Sequence, residues 1–90
     1  VTPIPANPTS ANQSRCGDGS VTFSANGATA GLVYRWYDSG NNLVKTSVDN
    51  NDNTFTTNSL TTTTNFSVAI FNPSPSPGCE SGRVSIQAII

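Results

Sequence analysis

Two cysteines, five carboxylates, a single lysine and no histidine are the side chains with which this 90-residue chain could do chemistry. Without histidine there is no Ser-His-Asp or Cys-His device. Cys16 and Cys79 stand far apart with no C-x-x-C pair, so four-coordinate zinc would lack soft ligands. Acid–base work by paired carboxylates needs two acids side by side, one of them in apolar surroundings. Asp18, Asp49, Asp52 and Glu80 fall in turn sequences, and Asp38 ends a strand before Ser39-Gly40, an ordinary turn-opening position. Solvated caps are the simpler reading of all five. A phosphate-cradling glycine loop is absent. The sequence therefore predicts no catalytic residue, no metal and no cofactor, and the chain is not expected to be an enzyme.

Four weaker constellations remain. Asp49-x-Asn51-x-Asn53 matches the start of a calcium loop, but Thr54 stands where glycine should make the sharp turn and Leu60 where a bidentate glutamate should be. A hydrated turn fits better. Lys45 could enter an intramolecular Lys–Asn cross-link only beside a buried acid, and nothing marks one; an exposed lysine blunting an edge strand is the plainer role. Tyr34, Trp36 and Tyr37 could stack on a sugar. Trp36 reads as core, which leaves Tyr37 as the one exposed ring and candidate ligand contact. Cys16 and Cys79 are either two buried free thiols or one structural bridge. The small size and Thr/Asn-rich composition favour the bridge and an oxidising compartment. Closing a loop of about 64 residues would stabilise by about 4 kcal/mol on chain-entropy grounds.

Composition bounds the partners. A net charge of -1 with no basic run argues against nucleic acid. No apolar run approaches the length of a membrane span. The start, Val1-Thr2-Pro3-Ile4-Pro5-Ala6-Asn7-Pro8, carries no signal-peptide pattern and reads as an extended lead-in, so the chain is taken as a fragment of a longer precursor. Thr favours strands, Asn and Ser favour turns, and the shortage of Glu, Lys, Leu and Ala disfavours helix.

The elements that must position these residues follow from turn signals and period-2 runs. Pro3 to Pro5 reads as an edge strand, since proline cannot donate into a central ladder. After the Gly17-Asp18-Gly19 turn, Val21, Phe23 and Ala25 alternate inward. In Leu32 to Asp38, Tyr34 and Trp36 face in while Arg35 and Tyr37 face out. Leu43–Thr46 and Thr54–Thr57 are short strands, the second with Phe55 inward, and Leu60 plugs the end of the core. Phe66, Val68 and Ile70 point inward, then a stiff Pro73/Pro75/Pro77-Gly78 loop leads to Val84, Ile86, Ala88 and Ile90. The expected core is thus Phe23, Tyr34, Trp36, Phe55, Leu60, Phe66, Val68, Ile70, Val84 and Ile86. About seven strands without a helix need two sheets packed face to face: an all-β, immunoglobulin-like sandwich with one disulfide. Residues 1–12 would form the lead-in and residues 13–90 the domain. An odd number of alternating strands places Val1 and Ile90 at opposite ends, about 30 Å or more apart.

Four segments in order carry a more specific likeness: Arg15-Cys16-Gly17-x-Gly19-Ser20-Val21-Thr22, Tyr34-x-Trp36-Tyr37-Asp38, Phe55-Thr56-Thr57-x-x-Leu60-Thr61-Thr62-Thr63-Thr64-x-Phe66-x-Val68, and Gly78-Cys79-Glu80-Ser81-x-Arg83-Val84. Over residues 15–90 the chain resembles bacterial Ig-like modules found in tandem in long secreted or surface proteins of Bacteroidetes. Phe66 stands where that pattern leads one to expect Tyr, which keeps the ring and loses a hydroxyl that could bond to backbone. The resemblance implies a non-catalytic spacer or adhesin-stalk module, secreted or at the cell surface, with neighbouring domains of the same polypeptide as its partners and a monomeric isolated domain. A cell-surface or polysaccharide ligand is the alternative partner, and with it the alternative role of an accessory carbohydrate-binding module on an exported enzyme.

Overall fold

The computed structural model describes residues 7–73 and 78–90. The expectations for Pro3 to Pro5, for the Val1–Ile90 separation and for Pro75 and Pro77 lie outside the described residues. Nine strands follow one another: β1 (Thr9–Ser10), β2 (Gln13–Ser14), β3 (Thr22–Asn26), β4 (Val33–Tyr37), β5 (Leu43–Thr46), β6 (Thr54–Thr56), β7 (Thr64–Asn72), β8 (Cys79–Glu80) and β9 (Val84–Ile89). No helix occurs among the described residues. Three two-residue strands, β1, β2 and β8, stand beside the six expected strands that fall among the described residues; they are too short to show an alternation.

Two sheets pack face to face. One has the order β1-β3-β6; the other runs β2-β9-β7-β4-β5, with β8 paired to β7. Between β1 and β2 the chain crosses from the first sheet to the second within Ala11 and Asn12. The core between the layers is what the period-2 pattern buries. Phe23, Ala25, Trp36, Val68 and Ala88 have no exposed surface. Tyr34, Phe55, Phe66, Ile70 and Ile86 are also buried, while Leu60 and Val84 are partly buried against that cluster. Trp36 stands opposite Val68 across the β4–β7 ladder. Its ring stacks on Phe23 and Phe55, with centroids at 6.4 and 5.5 Å, and Phe66 meets both phenylalanines at 5.7 Å.

Strand direction defines two poles. β4 and β9 both run antiparallel to β7, and β2 runs parallel to β9. Thr9 pairs with Asn26 at the end of β3, beside the start of β4, where Val33 stands opposite Phe71. The described chain therefore comes in at the pole where β7 ends. It leaves at Ile90, whose N–H donates to Thr63 Oγ1 at the pole where β7 begins. We call these the leading and trailing poles. The long axis of the molecule is 46 Å, against 24 and 17 Å across.

The same directions overturn the expected disulfide. Both cysteines are free, Cys16 exposed and Cys79 half-buried. Arg15 N–H donates to Ile89 O at the trailing pole, and Cys16 follows it. Cys79 stands opposite Asn72 at the leading pole. The length of β7 lies between them, about 26 Å at 3.3 Å per residue. A disulfide requires Cα atoms closer than about 7 Å.

Candidate functional site

The outer face of the larger sheet holds the densest set of polar chemistry. Arg35 and Tyr37 project from β4 on the side away from Trp36, with β7 next to them and β8 on the far side of β7. Glu80 of β8 is the hub. The Tyr37 hydroxyl donates to its carboxylate, Arg35 reaches the same oxygen at 3.4 Å, and Arg83 holds the other oxygen at 3.2 Å. Arg83 also lies 3.6 Å above the Tyr37 ring, and Arg35 lies 3.5 Å above the Phe71 ring. Burial, then the Glu80 carboxylate, pushes the Tyr37 phenol up. Burial pulls Glu80 upward too, but the hydrogen bonds from Tyr37 and Arg83 outweigh it and hold the carboxyl below its usual value. These are opposite faces of one interaction: a neutral phenol donating to an ionised carboxylate.

This arrangement corrects the expected role of Tyr37. Its side chain does face outward from the sheet, but it is only 5% exposed because the Arg83 guanidinium covers the ring. A covered ring offers no stacking platform. Lys45 also departs from expectation. Rather than standing out from the β5 edge, its ammonium bridges to β6, 2.6 Å from Thr54 O and 3.1 Å from Asp52 Oδ1. In the Asp49–Asn53 loop, Asp49 Oδ1 accepts from the N–H groups of Asn51 and Asp52. Asp52 accepts from Val48 N–H and Lys45, which hold its carboxyl low. Asp38 likewise caps its own turn, accepting from Asn42 N–H and Gly40 N–H. Of the five acids, Asp38, Asp49 and Asp52 are occupied by bonds within their own turns or to neighbouring strands, and Glu80 by the outer cluster.

One open cleft of about 490 Å³ lies toward the trailing pole, between the β5 and β6 margins of the two sheets. Val44, Phe55, Leu60 and Phe66 give it apolar walls, and Asp38 and Asn58 stand among its polar lining.

The family model for the Ig-like domain, CHU_C associated, matches residues 5–90. The chain belongs to this Ig-like family. No match was found among curated proteins or among solved structures. In this Ig-like domain the segments that carried the resemblance are spread over both poles. The Arg15–Thr22 segment turns at the trailing pole, where Arg15 spans its own loop by donating to Gly17 O and Ser20 O. The Gly78–Val84 segment starts at the leading pole and supplies Glu80 and Arg83 to the outer cluster. Phe66, in place of the expected tyrosine, serves as a core ring.

Sequence reasoning missed Glu80 as a hub. A signal was present: Arg35 and Tyr37 share one face by period 2, and Glu80-x-x-Arg83 brings an acid and a base into one short segment. What it lacked was the pairing of β8 with the end of β7, which places Glu80 across β7 from β4, within side-chain reach of Arg35 and Tyr37.

Proposed function

We propose that this Ig-like domain is a non-catalytic spacer or stalk module of a larger secreted or cell-surface protein. One observation carries the reading: the chain comes in at one pole of a 46 Å long body and leaves at the other. Modules built this way add length when joined in series, whereas termini at a common pole would fold a string back on itself. The interior supports the same reading. Its centre is filled by Phe23, Trp36, Phe55 and Phe66 packed on one another. The Thr/Ser/Asn-rich, charge-poor composition supports an exported setting. The proline-bearing stretch ahead of β1, with Pro3 and Pro5, would serve as the joint to a preceding module, while Thr9–Asn12 belong to the sandwich.

The accessory carbohydrate-binding reading has the open cleft in its favour. Against it, Phe55 and Phe66 are only 9% and 6% exposed, which leaves little ring face for a sugar. Small-angle scattering of two copies of the chain joined in series tests the proposal. A maximum dimension near twice that of one copy is expected. A compact pair no longer than a single copy would overturn it, as would micromolar binding of a glycan by the isolated chain.

A further inference from the structure

We infer that the two free thiols are the halves of a staple between successive copies of this domain, Cys16 of one copy bonding to Cys79 of the copy that follows, an inference that rests on the spacer reading. Within one copy the pair cannot meet, because the length of β7 lies between them. In a string the relation reverses. The trailing pole of one copy is followed by the leading pole of the next. The first copy's Cys16 and the second copy's Cys79 then fall at the same junction.

Each thiol also stands beside the chain that makes the junction. At the exit, Arg15 N–H donates to Ile89 O at 2.9 Å, and Cys16 is the next residue. At the entry, the incoming chain runs alongside Gly82, where an added Cβ would stand 2.9 Å from Asn7 Oδ1. Cys79 lies three residues before Gly82, at most about 11 Å of extended chain. When copies are joined end to end, residues 1–6 of the second connect Ile90 of the first to Asn7 of the second. That connection reaches at most about 25 Å. So short a tether gives the two thiols an effective concentration of about 1 mM. Both are open to reagents in solution: Cys16 is exposed, Cys79 is half-buried, and neither belongs to the core cluster.

The bond forms by exchange with a disulfide donor, either a small-molecule disulfide or the oxidised dithiol of an export-compartment catalyst. The Cys16 thiolate, the more exposed of the two, attacks one donor sulfur. The donor's S–S bond breaks, leaving a mixed disulfide and one donor thiol. The Cys79 thiolate of the following copy attacks the Cys16 sulfur and expels the second donor thiol. Two thiols of the string are oxidised to one disulfide, one donor disulfide is reduced to two thiols, and the two protons pass to the donor.

Two copies joined in series, with oxidised glutathione as the donor, test this by intact mass. Cys79→Ser in the first copy and Cys16→Ser in the second leave only the junction pair. That pair should lose two hydrogens about 100-fold faster than the same two variants left unlinked at about 10 μM. Cys16→Ser in the first copy and Cys79→Ser in the second leave thiols at the far ends of two bodies, each 46 Å long. Those should close no faster than unlinked copies. Equal closure in the two arrangements would overturn the inference, as would a junction pair no faster than unlinked copies. A bond mapped within one copy of the unsubstituted pair would overturn it too. An extended pair by scattering whose junction thiols stay reduced would defeat the staple and leave the spacer reading. Micromolar glycan binding by a pair that closes would do the reverse.

Discussion

Cys16 and Cys79 stand at opposite poles of one strand, the first beyond the Ile89 end of β9 and the second opposite Asn72. Both thiols should therefore titrate with an aromatic disulfide reagent in the native protein, Cys16 ahead of the half-buried Cys79. Intact mass without reductant should equal that of the dithiol. Cys16→Ser should shift stability by no more than about 0.5 kcal/mol, as for other exposed positions. A bridged mass, or loss of several kcal/mol in the serine variant, would refute the placement.

Trp36 is fully buried between Phe23, Phe55 and Val68. Trp36→Ala should cost about 3–5 kcal/mol, a large part of the stability of a small domain. Urea denaturation followed by far-ultraviolet circular dichroism measures it. The native protein should show blue-shifted Trp36 fluorescence that moves red on unfolding.

The Tyr37–Glu80 bond makes stability fall at both ends of the pH scale. Glu80 has its folded pKa held below the usual value of 4.5. Its contribution is present above that value and is lost as pH falls through the folded pKa. Tyr37 has its folded pKa raised above 10.0. Its contribution is present below that value and is lost as pH rises toward the folded pKa. Tyr37→Phe should abolish the alkaline loss due to this residue and soften the acid one, read from urea midpoints across pH. Unchanged acid and alkaline limbs in Tyr37→Phe would show that the bond does not couple to folding.

Gly78 has a φ of +90°, and a Cβ there would run into Asn72 O and the Phe71 ring. Gly78→Ala should destabilise by about 1–3 kcal/mol from backbone strain alone. Gly31 also has a positive φ, of +89°, but faces open space. Gly31→Ala should therefore cost less than Gly78→Ala in the same thermal melt.

Alternation made much of the sandwich legible. Val21-x-Phe23-x-Ala25, Tyr34-x-Trp36, Phe66-x-Val68-x-Ile70 and Ile86-x-Ala88 are all buried, because one face of each strand packs on the other sheet. The outer face was read less well. Tyr37 and Ala69 point away from the core yet are buried: the Arg83 guanidinium lies over the Tyr37 ring, and Ala69 stands opposite Arg35 on the central strand β7. Alternation reports which side a residue takes and says nothing of what covers that side. The cysteine bridge was a topological matter. Cys16 precedes β3 and Cys79 follows β7, and β3 and β7 run the same way, so the start of one and the end of the other fall at opposite poles. The parity that separates the chain ends also separates the thiols.

Beside the β2–β9 pairing, Gln87 N–H donates to Asn12 Oδ1 across 75 positions of sequence. A ribosome or an export channel delivers the chain from its first residue to its last, and β3 to β7 can find partners while it is still emerging. β2 cannot. Its partner is the final strand, and loop closure over nearly the whole chain comes late in folding. The first strands to be made thus wait for the last, and the domain is sealed only when its final residues are free.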